Sequence, residues 1–162
     1  MSWCDRRSMI LATAALAGCG FSPVYGPAGA GGRLQGRIAF ASPGTEAAYD
    51  LVAALEDRLG RAEGARYRMD YVIATQSFDL GITTQREITR YNVTGAVQVT
   101  VADLATGTTV FADTVEAFTS YSATGTAVST EAAEADASRR LMTILADRIV
   151  TRLYAEAEAW PA

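Results

Sequence analysis

The chain has 162 residues, with 14 basic and 18 acidic side chains, a formal net charge of −4 and no histidine. All 14 basic residues are arginine, which excludes Ser–His and Cys–His catalysis, histidine metal sites, Ser–Lys dyads, Schiff bases and a P-loop lysine. The acidic balance argues against nucleic acid as a partner, which needs clustered positive charge, and a hydrophobic content of 49% fits one folded domain with or without a leader.

Taken in chain order, Arg6 and Arg7 form a short positive region, followed by an apolar stretch from Ser8 to Ala17. That stretch is too short for the roughly 20 residues a spanning helix needs. Residues 1–18 therefore read as a secretory signal, to be left out of fold reasoning. The pair Arg6-Arg7 before Ser8-Met9-Ile10 also loosely matches a twin-arginine signal, although two arginines serve a general export signal equally well. The segment ends in Leu16-Ala17-Gly18-Cys19, which resembles a bacterial lipobox. Small residues there fit the lipoprotein signal peptidase, and Cys19 becomes the lipidated first residue. Cleavage leaves 144 residues, with 12 arginines against 17 acids. No free thiol or disulfide remains, so stability must come from the core.

Residues 19–36 are Gly-rich, with Pro23 and Pro27, and read as a lipidated tether. Arg37 to Ser42 alternates as a first strand, and Ser42-Pro43-Gly44 breaks it. Thr45 can cap a helix in which Ala48, Leu51, Val52, Leu55 and Leu59 recur at helical spacing before Gly60. Met69 to about Leu80 is extended, but Val72 and Phe78 oppose Tyr71 and Ile73, which leaves its inner face ambiguous. Glu87 to Leu104 is the clearest strand. Tyr91, Val93, Val97, Val99 and Val101 line one face, and Asn92, Thr94, Gln98 and Thr100 the other. Asp103 to Gly107 forms a turn. Thr108 to Tyr121 returns, again with an ambiguous inner face because Phe111 opposes Phe118. After a loop at Ala123–Ala127, Ser129 or Thr130 can cap a last helix. Leu141, Met142, Leu145, Ile149 and Leu153 form its apolar stripe, and Arg148 and Arg152 favour its C-terminal dipole. Residues 156–162 are expected to be a disordered tail.

The order β-α-β-β-β-α predicts an α+β domain over residues 37–155. Its four-stranded, mostly antiparallel sheet carries two helices on one face. The other face would be rich in Thr, Asn and Gln, either solvated or set against a polar protein surface.

Leu16-Ala17-Gly18-Cys19-Gly20-Phe21-Ser22-Pro23-Val24-Tyr25-Gly26 resembles the start of the lipopolysaccharide-assembly lipoproteins of the LptE family, especially alphaproteobacterial ones. The element order is also similar. So are Tyr91-Asn92-Val93 running into Asp103-Leu104-Ala105-Thr106-Gly107, and Ser120-Tyr121-Ser122 before a helix with Leu145-Ala146-Asp147-Arg148-Ile149 and Leu153. The resemblance implies a non-enzymatic outer-membrane lipoprotein that plugs the β-barrel LptD and assists its assembly for lipopolysaccharide insertion. It implies attachment through a covalent lipid on Cys19 and no other cofactor, with the domain facing the periplasm and the barrel lumen. It also implies lipopolysaccharide as a ligand. Arg86 and Arg90, flanking the start of the long strand, are the candidates for its phosphates, since guanidinium groups bind phosphate bidentately. The alternatives are another lipid-anchored periplasmic adaptor of a transport or barrel-assembly machine, or a carboxylate hydrolase. For the hydrolase Asp79, Glu87, Asp103, Asp113 and Glu116 lie in or near strands, but none stands in a recognisable motif.

Overall fold

The computed structural model describes residues 29–82 and 88–160. The elements run α1 (Ala30–Leu34), β1 (Ile38–Phe40), α2 (Glu46–Leu59), β2 (Tyr67–Ile82), β3 (Ile88–Asp103), β4 (Thr109–Ser122) and α3 (Ala127–Glu156), closed by a 3₁₀ turn at Ala157–Ala159. The predicted order is thus present with one short helix added in front. The sheet order is β1-β2-β3-β4. β1 lies parallel to β2, as a β-α-β crossover requires, and the other two pairings are antiparallel.

Local chemistry explains the helix limits. Thr45 Oγ1 accepts the Ala48 N–H at 3.2 Å, satisfying one of the four unpaired donors at the start of α2. Gly60, at φ 75°, ends it. The last helix begins earlier than expected. Thr126, not Ser129 or Thr130, is the cap, and its Oγ1 accepts the Ser129 N–H at 3.3 Å. The Ser129 hydroxyl in turn donates to the Thr126 carbonyl at 2.8 Å.

Both long helices pack on the same face of the sheet. Leu51, Leu55 and Leu59 of α2 and Leu141, Leu145, Ile149 and Leu153 of α3 are fully buried against Met69, Val97, Val99, Val101 and Phe111. The alternation of β3 matches its predicted faces. The two ambiguous strands are settled. Tyr71, Ile73 and Phe111 turn towards the helices, while Val72, Phe78 and Phe118 face outward. At Gly95 two leucines of α3 press against the sheet. A Cβ there would sit 3.0 Å from Leu141 Cδ2 and 3.2 Å from Leu145 Cδ1, so glycine lets those leucines rest on the strand without shifting.

Both ends of the domain depart from expectation. The predicted tether is already folded at Ala30–Leu34, with Leu34 only 2% exposed. The chain end expected to fray beyond Ala155 instead completes α3 and the 3₁₀ turn, then buries Trp160 to 5% exposure. Its ring meets Tyr67 edge-on at 5.0 Å and Phe111 at 6.3 Å. Arg33 of α1 donates to the Trp160 carbonyl at 3.4 Å, so the two ends of the described chain clasp each other.

The Asp103 turn is held by charge. Its Oδ1 accepts the Ala105 N–H at 2.8 Å and the Thr106 N–H at 3.4 Å, and Oδ2 lies 3.4 Å from the Arg66 guanidinium. The side chain is 1% exposed. The backbone N–H of Ala105, then that of Thr106 and the Arg66 side chain, hold its carboxyl below the usual value despite burial. The folded state therefore binds fewer protons than the unfolded chain as pH falls through the ordinary carboxylate range, and stability falls with pH there. Asp103→Asn removes this acid-labile contribution. In urea titrations, the stability gap between wild type and the variant should be widest near neutrality and should shrink below about pH 4. A gap that stays constant down to pH 3 would show that Asp103 is not the group responsible.

Candidate interaction surface

The face of the sheet away from the helices is uncovered among the described residues. The strand register arranges it in rows: Phe78–Asn92–Ser120, Gln76–Thr94–Phe118, Ala74–Ala96–Glu116, Val72–Gln98–Thr114 and Asp70–Thr100–Ala112. β3 contributes mainly uncharged polar groups, as predicted. The flanking strands interrupt that polarity with apolar groups. Val72 is 65% exposed, Phe78 50% and Phe118 68%. Sequence reasoning missed this mixed character because β2 and β4 carry apolar residues at both parities. The row of small side chains at Ala74 and Ala96 leaves a shallow depression of about 530 Å³ beside Phe118 and Glu116.

The two edges of the sheet differ. Arg140 donates to the Ser120 carbonyl at 3.4 Å, and Arg148 donates to the Glu116 carbonyl. Arg152 lies 3.7 Å from the Asp113 carboxylate. The spacing follows from geometry. Residues 140 and 148 are about 12 Å apart along a helix, and residues 116 and 120 about 13 Å apart along a strand. α3 therefore lays its arginines along the outer carbonyls of β4 and blunts that edge. Arg148 and Arg152, read from sequence as dipole partners, serve the strand instead. On the other side, β1 covers only Tyr67–Met69, and beyond Tyr71 the edge of β2 has no partner among the described residues.

Of the candidate site residues, Cys19 and Arg86 lie outside the described residues. Arg90 is exposed near the far end of β3, between Gly81 and Ser122 in register, and has no ion-pair partner among the described residues. On the helix side of the same end, Tyr91 and Tyr121 stack at 5.2 Å. Burial, and then the neighbouring Glu134 carboxylate, raise the Tyr121 hydroxyl pKa.

Among the described residues, the acids considered for hydrolysis do not assemble into one site. Glu87 lies outside the described residues. Asp103 is occupied in its turn, at the opposite end of β3 from the Asp79–Tyr91 pairing. Asp113 and Glu116 have opposite parity in β4 and so belong to opposite faces. Among the described residues no group of three or more His, Cys, Asp or Glu is placed to hold a metal ion. Among them, too, no helix is long and apolar enough to cross a membrane.

The fold is shared with solved lipoproteins. A putative lipoprotein from Caulobacter crescentus CB15 superposes with a TM-score of 0.69 at 21% identity, covering 83% of this chain and all of that one. Rare lipoprotein B from Shewanella oneidensis gives 0.58 at 15% identity, covering 76% and 95%. An uncharacterized lipoprotein B from Nitrosomonas europaea gives 0.57 at 13%, covering 76% and 84%. At these identities the likeness concerns the fold. A search of curated proteins finds no match. The sequence profile of the LptE family, described as lipopolysaccharide-assembly, matches residues 36–153.

Proposed function

We propose, from the premise that the chain belongs to the LptE family of lipopolysaccharide-assembly proteins, that it is a non-catalytic, lipid-anchored component of the outer membrane. In this reading it seats inside the β-barrel LptD, assists its folding and so serves lipopolysaccharide insertion into the outer leaflet. The observation that carries the reading is the uncovered face of β2, β3 and β4, whose central strand presents uncharged polar groups between scattered apolar ones, and whose rows carry charge only on the flanking strands, at Asp70 and Glu116. A barrel interior is lined by polar side chains. A plug must meet it with groups that hydrogen-bond without carrying unpaired charge into the contact.

The dimensions suit the same reading. Ten Cα–Cα steps lead from Cys19 to Gly29, a reach of at most about 35 Å. β2, with 16 residues, extends about 50 Å away from the clasped chain ends. Arg90 lies near the far end of that arm. With Arg86, it remains the proposed contact for lipopolysaccharide phosphates.

The test is a tagged pull-down from detergent-solubilised outer membrane, comparing wild type with Thr94→Arg/Gln98→Arg. Both positions lie on the uncovered face, so the fold should persist. Wild type should recover one large barrel subunit near stoichiometrically, and the variant at least tenfold less. Equal recovery by both would remove this face from the contact. An inner-membrane transporter in place of the barrel would instead support the lipid-anchored adaptor.

A further inference from the structure

The edge of β2 beyond Tyr71, unpaired among the described residues, carries a self-complementary pattern. The Ala41 N–H donates to the Met69 carbonyl at 2.9 Å, so the backbone groups of Met69 point away from β3. In an antiparallel ladder, both groups of one residue point to the same side and alternate along the strand. The N–H and C=O of Tyr71, Ile73, Thr75 and Ser77 therefore point outward. The Thr94 hydroxyl donates to the Gln76 carbonyl at 3.3 Å from the β3 side, as the same alternation requires. From Tyr71 to Phe78 this edge contains no charge and no proline, the residues that usually protect an edge.

We propose that, before it meets any other partner, the chain pairs with a second copy of itself through this edge. Outward-facing residues must pair with outward-facing residues. Centring a two-fold axis on Thr75 then sets Thr75 against Thr75 and Ile73 against Ser77. On the uncovered face it sets Val72 against Phe78 twice, as close non-hydrogen-bonded pairs that cover these four exposed side chains, with the exposed Leu80 lying beyond them. The rule also keeps Asp70 from facing Asp79, because one is even and the other odd in register. The irregularities between Asp79 and Gly81, and between Gly81 and Ile82, break the regular ladder at the register where it would otherwise meet the partner's β1. With β4 blunted by arginines, the pairing ends at two chains, as an isologous contact does.

The proposal is independent of the barrel reading, because the test uses the purified full-length lipoprotein alone in detergent. Thr75→Cys should cross-link to itself under mild oxidation and double the apparent mass. Directly paired residues lie about 5.5 Å apart, within disulfide range, and wild type treated in parallel should give no such band. In analytical ultracentrifugation, Val72→Glu/Phe78→Glu puts carboxylates opposite each other and should give only monomer. Val72→Glu/Phe78→Arg puts opposite charges there and should restore the dimer. Both positions are exposed, so circular dichroism should match wild type throughout. A natively folded Thr75→Cys that stays monomeric would overturn the proposal. So would a dimer that survives the double-glutamate variant.

Discussion

Trp160→Ala should lower unfolding stability by about 3–5 kcal/mol, the range for removing a large buried aromatic side chain. The ring fills the space between Tyr67 at the start of β2 and Phe111 near the start of β4, at an end of the core that neither long helix closes alone. Its loss leaves a cavity and also weakens the support of α1, whose Arg33 reaches the Trp160 carbonyl. Trp160→Phe separates packing from polarity. The indole Nε1 is buried without a hydrogen-bond partner among the described residues, so the phenyl ring keeps much of the contact and removes an unpaired donor. Chemical denaturation at pH 7 should therefore rank wild type and Trp160→Phe close together and Trp160→Ala far below. A Trp160→Ala loss under about 1 kcal/mol would mean that the chain end contributes little.

Cys19→Ser should move the protein from the membrane fraction to the soluble periplasmic fraction almost completely. Each buried methylene of an acyl chain contributes about 0.8 kcal/mol, and two chains already give stable attachment. No helix among the described residues can substitute for the lipid by crossing the membrane. The melting temperature should be unchanged, because among the described residues the hydrophobic core begins at Leu34, well beyond Cys19. Fractionation with immunodetection reads the first effect and thermal denaturation the second. If Cys19→Ser stays in the pellet and resists alkaline extraction, the lipobox reading fails.

The sheet was legible where its two faces differ in chemistry. On β3, valines alternate with Thr, Asn and Gln, and one parity alone can be core. β2 and β4 could not be oriented alone, because their orientation depends on which neighbours they pair with. The start of α3 was misplaced because Thr126, Ser129 and Thr130 can all cap, and which one does is decided by where the β4 ladder ends. Trp160 escaped because it belongs to no periodic run and precedes Pro161. The short α1 escaped because a Gly-rich stretch with one leucine lacks an apolar stripe. For the candidate surface, the polar residues of β3 could be read, and the contrast between a blunted and an open edge could not. That contrast depends on a helical spacing coinciding with a strand spacing in three dimensions, at Arg140 and Arg148 over Ser120 and Glu116.

The clasp between the chain ends also sets where mechanical load enters the domain. If Cys19 carries the proposed lipid, a pull transmitted along the chain from it arrives at Gly29 and α1, which lies against the 3₁₀ turn and Trp160. Tension is therefore carried first by contacts between the two termini, and the hydrogen-bonded strands are strained only after those contacts part. In that arrangement the clasp would act as a strain relief: drift of the proposed anchor would be absorbed at one pole, while the arm holding β2 and β3 keeps its shape.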